Sequence, residues 1–364
     1  MLERPDRSRL GMLARLKRRW LESSSSSSST EAPSGATPMR DAGSLAQGAT
    51  GGASLAGRWM RREEAIMGTS IVVELWSDDE RRGQEALDAV IVEMHRIDAS
   101  MSPYKPESEL SVVNRDAGRG PVRISEELFA LLSRSIEFSE LSDGAFDITY
   151  AGAGHLYDYR RGVRPSDAEL ARARETIGYR MLVLDAAART VRFARDGMRI
   201  DLGGFAKGYA VDRGAGILRA LGVAHAIVTA GGDSHIVGDR RGRPWSIGIR
   251  DPRAEDKVVA VLPLVDTALS TSGDYERYFL EGSQRHHHVI DPRTGRSASA
   301  VRSVTVVGPD GLTTEAMTKT IFVLGWREGL RRLERMPGLD AVVVDDRGEL
   351  HASSGLVPGT DTSK

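Results

Sequence analysis

The stretch Ile200-Asp201-Leu202-Gly203-Gly204-Phe205-Ala206-Lys207-Gly208-Tyr209-Ala210-Val211-Asp212 decides how the rest of the chain is read. An acid closes an apolar run, two glycines follow, and a helical pattern begins. The spacing predicts a strand ending at Asp201, a turn, and a helix running to about residue 221. Glycine lets backbone approach a ligand because no side chain intervenes. The unpaired N–H groups of a helix start favour phosphate oxygens. Lys207 adds a positive charge, and Asp201 a carboxylate suited to a hydroxyl or a cation.

Working outward, helical and strand patterns interleave irregularly. Strands are expected at 70–75, 226–229, 245–250, 258–264, 278–280, 303–307 and 341–344, with a hairpin from 181–184 and 191–193. Helices are expected at 79–96, 125–141, 314–324 and 327–336, and residues 114–120 read as loop. The irregular order fits an α+β (mixed α/β) fold better than a regular parallel array. No internal repeat or second linker is visible, so one compact domain is expected over residues 58–357. Residues 1–57 read as a disordered tail rich in Ser, Gly and Ala, and 358–364 as a short C-terminal tail.

The totals exclude several classes of function. The 364 residues carry a formal net charge of −1 and only 5% aromatics, which gives nucleic acid neither a basic field nor a stacking platform. There is no cysteine, hence no disulfide, thiolate metal site or lipid-modified cysteine. No window approaches a membrane span. The basic run Arg15-Leu16-Lys17-Arg18-Arg19-Trp20 is followed by the serines 23–29, not by the apolar core of an export signal, so a cytoplasmic location is expected. That basic segment reads as a solvated arm, with a weak membrane-surface contact as the sharper alternative.

Further segments carry candidate chemistry. Ser270-Thr271-Ser272-Gly273-Asp274-Tyr275-Glu276 reads as a small-residue turn whose hydroxyls suit phosphate oxygens, or as an ordinary polar turn. In His286-His287-His288-Val289-Ile290-Asp291-Pro292-Arg293-Thr294-Gly295, consecutive imidazoles point in different directions and do not make a three-histidine zinc site. His288 is the candidate general base; the plainer account is two exposed histidines and one buried. Gly231-Gly232-Asp233 and Ser142-Asp143-Gly144-Ala145-Phe146-Asp147 are glycine turns with carboxylates, and Met101-Ser102-Pro103-Tyr104 offers a ring for a flat heterocycle. On the helix begun by Thr313-Thr314-Glu315-Ala316-Met317-Thr318-Lys319-Thr320, Glu315 lies three residues before Thr318 and four before Lys319. That places a carboxylate and a hydroxyl on one face, aimed at a cation, or a plain surface ion pair.

Together with Met67-Gly68-Thr69 and the run Phe322-Val323-Leu324-Gly325, these segments resemble the FAD:protein FMN transferases, the ApbE-type flavin transferases, in the family's order over residues 62–355. The resemblance implies an ApbE-like domain that binds FAD as substrate and uses Mg²⁺. It implies transfer of FMN to a threonine hydroxyl of an acceptor flavoprotein, with release of AMP. Hydrolysis of FAD to FMN and AMP, or flavin binding without catalysis, are the alternatives. By matching position the flavin-nucleotide contacts are Met67, Tyr104, Ala145, Phe146, Asp147, Asp201, Lys207 and Ile290. His288 is the base, assisted by Asp201. The metal ligands are the Gly204 carbonyl, Glu315 and Thr318. The family's late helix carries Asp-Ala-x-x-Thr, and here the Asp position is Glu315 and the Thr position Lys319. Three outcomes stay open: Thr318 replaces the missing hydroxyl while Lys319 turns away, Lys319 contacts phosphate directly, or the site binds flavin and transfers poorly.

Overall fold

Apolar side chains alternate in two directions along the strands, and the fold follows from that alternation. In the computed structural model the described residues are 57–356. The expectations for the N-terminal tail, its basic segment and residues 358–364 lie outside them.

Eight strands form one sheet whose spatial order is the chain order: Arg58–Ile66, Thr69–Ser77, Ala226–Ala230, Asp233–Val237, Ala268–Gly273, Val301–Gly308, Asp340–Asp345 and Leu350–Ala352. Every neighbouring pair is antiparallel. Val228, Val306 and Val343 face one side, against helices, while their chain neighbours Ile227, Val307 and Val342 face the other. On the helical side, Glu80–Met101 and Ala206–Ala220 cover the first strands through Val90, Met94, Val211 and Leu218. Gly311–Leu324 covers the later ones through Met317, Ile321 and Phe322. On the opposite side lies the hairpin Trp245–Asp251 with Ala254–Leu264, which buries Trp245 and Leu262. The α+β expectation of a single domain holds. No helix among the described residues is long and apolar enough to cross a membrane.

Three local expectations are corrected. The segment ending at Asp201 is not a strand. The side-chain amide of Asn114 donates to the Ile200 carbonyl at 2.9 Å and accepts from the Ile200 amide at 2.8 Å, and so replaces a neighbouring strand. Asn114 itself is helical, in Glu109–Asp116, where a loop was expected. The supposed turn at 270–276 begins as a buried sheet strand, because Ser270 and Ser272 find hydroxyl partners on the Gly311–Leu324 helix. The expected hairpin at 181–193 is present as Leu182–Asp185 with Thr190–Phe193.

Candidate active site

The Asp201-to-Asp212 segment holds two helices together. Gly208 and Gly311 meet so closely that a Cβ on Gly208 would lie 2.1 Å from the Gly311 carbonyl oxygen. Asp212 caps the Gly311–Leu324 helix by accepting from the amides of Gly311 at 2.6 Å and Leu312 at 3.0 Å. This contact brings Glu315 under the start of the Ala206–Ala220 helix, where its Oε2 accepts from the Gly208 amide at 2.7 Å.

A quartet of charges results, its two acids buried and its two lysines partly exposed. Lys207 Nζ donates to Glu315 Oε1 at 2.5 Å and to Asp233 Oδ2. Lys319 Nζ lies 3.7 Å from Glu315 Oε1 and donates to Ser272 Oγ at 2.7 Å. Ser272 is hydrogen-bonded to Thr318 Oγ1 at 2.7 Å, and Thr318 donates onward to the Glu315 carbonyl at 2.7 Å. Burial pulls the Lys207 ammonium down, but Asp233 and Glu315 more than offset it and leave its pKa raised. Burial pushes the fully enclosed Glu315 carboxyl up, with Asp233 adding to the push and the two lysines opposing it. Burial lowers Lys319, against the pull of Glu315.

Around the quartet, Asp201 Oδ1 accepts from the Gly203 amide at 2.7 Å, tightening the glycine turn. Burial raises the Asp201 pKa, and the Gly203 amide, Arg277 and Tyr150 counter it. His288 Nδ1 is buried with no hydrogen-bond partner. Burial, followed by the charges of Lys319, His287, Arg277 and Lys207, lowers its pKa to about 3, so the imidazole is neutral at physiological pH. Its neighbours correct the expectation of two exposed histidines, because His286 and His287 are both buried. Met67 and Gly68 form a two-residue hairpin turn with φ of 56° and 69°, and the Gly68 carbonyl accepts from Arg277 at 3.2 Å. A non-glycine residue at positive φ is disfavoured, and Met67, which adopts it, is partly buried against the main core.

The structure therefore brings Asp201, Gly204, Lys207, Glu315, Thr318 and His288 into one neighbourhood. The Phe146 ring belongs to it as well, since a Cβ on Gly204 would lie 3.5 Å from Phe146 Cε2 and 3.8 Å from Lys319 Cγ. Tyr104 is 82% exposed, free to receive a ring. Ala145 and Ile290 are buried in flanking apolar clusters. Asp147 spends its carboxylate on the Thr149 amide and hydroxyl at 2.8 and 2.6 Å and on the Tyr179 amide at 2.7 Å. The glycines at 231 and 232 serve sheet packing, against Thr69 and the Thr271 carbonyl. Asp233 stands in the Gly231-Gly232-Asp233 motif, which does not signal its role as a lysine partner; Arg277 beside Gly68 and Tyr150 on Asp201 carry no motif signal of their own.

The side chains expected to ligate Mg²⁺ are already engaged within the protein. Both Glu315 side-chain oxygens are occupied, the Thr318 hydroxyl is held between Ser272 and a carbonyl, and Lys319 is not turned away. Of the two acids, only Asp233 Oδ1 lacks a partner. Mg²⁺ demands near-octahedral oxygens, and these residues as arranged do not fit it.

Sequence and structure comparisons place the chain among known proteins. The ApbE family model matches residues 67–343. This chain belongs to the ApbE family. An FAD:protein FMN transferase of Treponema pallidum (strain Nichols) is 32% identical over 317 residues, covering 81% of this chain and 87% of the relative. One from Klebsiella pneumoniae (strain 342) is 31% identical over 293 residues, covering 79% and 90%. Among solved ApbE structures, the protein from Thermotoga maritima superposes with a TM-score of 0.77 at 33% identity, covering 82% of this chain and 97% of that one. The flavin transferase ApbE from Vibrio cholerae gives 0.73 at 27%, covering 83% and 99%.

Proposed function

We propose that this ApbE-family chain is an FAD:protein FMN transferase acting on a threonine of an acceptor flavoprotein. The observation that carries the reading is the unpartnered, buried Nδ1 of neutral His288 within the field of Lys319, Arg277 and Lys207. A base beside an anion receptor is what phosphoryl transfer requires. Tyr104 stacks on the flavin, and Asp201 with the glycine turn positions the nucleotide.

In this reading the threonine Oγ attacks the flavin-side phosphorus of FAD. The new O–P bond forms as the bridging P–O bond breaks, and the bridging electron pair leaves on the phosphate of AMP. The hydroxyl proton passes to His288 Nδ1. Burial is the larger cause of the depressed imidazole, and a diphosphate arriving beside the lysines would offset the smaller part that comes from their positive charge. Mg²⁺ would have Gly204, Glu315 and Thr318 to hold it, and since their present contacts do not fit it, no step is assigned to it.

The test is incubation with FAD and an acceptor flavoprotein, followed by intact mass. A gain of one FMN with AMP release supports the reading. AMP without labelled protein indicates hydrolysis, and FAD binding without AMP indicates a non-catalytic protein. His288→Ala should lower transfer by about 10²–10⁴-fold while calorimetric FAD affinity is kept.

A further inference from the structure

A cation already occupies the place where one would be recruited. Lys207 and Lys319, both partly exposed, sit with the buried Asp233 and Glu315 in one cluster, and their formal charges cancel. A divalent ion entering it would meet two ammonium groups at close range. It would also have to take Glu315 from Lys207 and Gly208, and Thr318 from Ser272.

The two lysines are not equivalent. Lys207 is clamped between two carboxylates, which fixes it as a structural counter-charge. Lys319 has one firm hydrogen bond, to Ser272 Oγ at 2.7 Å. Its other contacts, 3.4 Å to Thr318 Oγ1 and 3.7 Å to Glu315 Oε1, are too long to saturate an ammonium group. Ammonium carries three donors, so Lys319 keeps N–H capacity for an incoming oxygen. Its stem lies beside Gly204, in the glycine turn after Asp201. The Ser272–Thr318–Glu315 relay holds the head from below, and Ser272 lies in a central sheet strand, so the charge is positioned before any ligand arrives.

We infer that the cation acting on the diphosphate is the Lys319 ammonium, and that this enzyme transfers FMN without a divalent metal. The inference rests on the transferase reading. Lys319 donates to the phosphate oxygens as negative charge builds on the departing AMP. No proton moves through it, so the bond changes are those already given.

Two measurements test it. In the first, transfer to the acceptor flavoprotein is followed by intact mass in EDTA and in excess Mg²⁺. The expected rates agree within a factor of about 2. Lys319→Met should lose about 10²–10³-fold in both conditions, while Lys319→Arg keeps part of the activity. The second does not depend on activity: Mg²⁺ or Mn²⁺ is titrated calorimetrically into the full, FAD-free chain. The wild type should show no saturable site, and Lys319→Thr, which removes the ammonium and supplies an oxygen, should gain one. Transfer that requires Mg²⁺, or a stoichiometric Mg²⁺ site in the wild type, overturns the inference. Absence of transfer under every condition overturns the transferase reading instead, and the titration still decides whether Lys319 excludes a metal.

Discussion

The Gly208 amide donates to Glu315 Oε2 at 2.7 Å, across an interhelical contact that admits no side chain on either glycine. The bond ties the first turn of one helix to a buried acid of another, and the charge quartet is assembled on that tie.

Gly208→Ala tests the tie. The added methyl would lie 2.1 Å from the Gly311 carbonyl oxygen, against backbone that cannot rotate away. Overpacking of this kind costs about 1–3 kcal/mol. Urea denaturation should show the loss, and FMN transfer should fall with it because Glu315 is displaced. A variant as stable as the wild type would mean that the helices are not in contact here.

Lys207→Met should be more damaging than its partial exposure suggests. It strands Asp233 and Glu315 together in a buried site, and breaking a buried pair from one side costs about 3–5 kcal/mol. Adding Glu315→Gln should recover part of the loss. Non-additive unfolding free energies in this double variant are the expected signature.

Acid stability should depend on Glu93. It joins two helices by accepting from Arg96 at 2.8 and 2.9 Å and from Arg213 at 2.9 Å. The Arg96 hydrogen bonds, with Arg213 adding to them against burial, lower its pKa from 4.5 to about 2. The folded value lies below the unfolded one, so the contribution is complete above about pH 4.5 and fades as pH falls toward 2. With the guanidinium groups half-exposed, it is on the order of 2–3 kcal/mol. Glu93→Gln should lower Tm at neutral pH and flatten the fall in Tm over that acid window. A parallel downward shift at all pH values would argue against the linkage.

Tyr104→Ala should separate binding from folding. The ring is 82% exposed, so stability should change by less than about 0.5 kcal/mol. Loss of a stacking partner should weaken FAD by about 0.5–1.5 kcal/mol, roughly 2- to 10-fold in Kd. Unchanged Kd in calorimetry would remove Tyr104 from the site.

Much of this was legible in the sequence because local rules and packing agreed. Asp79 and Ser125 announce their helices and cap them. The helix after Gly204 and the later strands follow from periodicity, and the order of motifs from the family resemblance. Other features depend on partners distant in the chain. Asn114 mimics a strand for Ile200 across 86 residues, and no local pattern reveals that. Ser270 and Ser272 look like turn residues because their compensation, Thr314 and Thr318, lies on another element. Lys207 and Lys319 were visible as charges, but only the fold shows one clamped by two acids and the other left with donors to spare.

The sheet's plain ordering carries a consequence for how this molecule can change. Its strands succeed one another like rungs climbed in turn, and the reactive groups sit largely on three detours from that ladder: residues 78–225, 274–300 and 309–339. Each detour leaves and rejoins neighbouring rungs, so any one can be lengthened, trimmed or borrowed from a cousin without rethreading the others. The detour bearing Glu315 and Lys319 is the one whose exchange would rewrite the proposed ion requirement, as long as the replacement keeps its contacts with Lys207, Gly208 and Asp212.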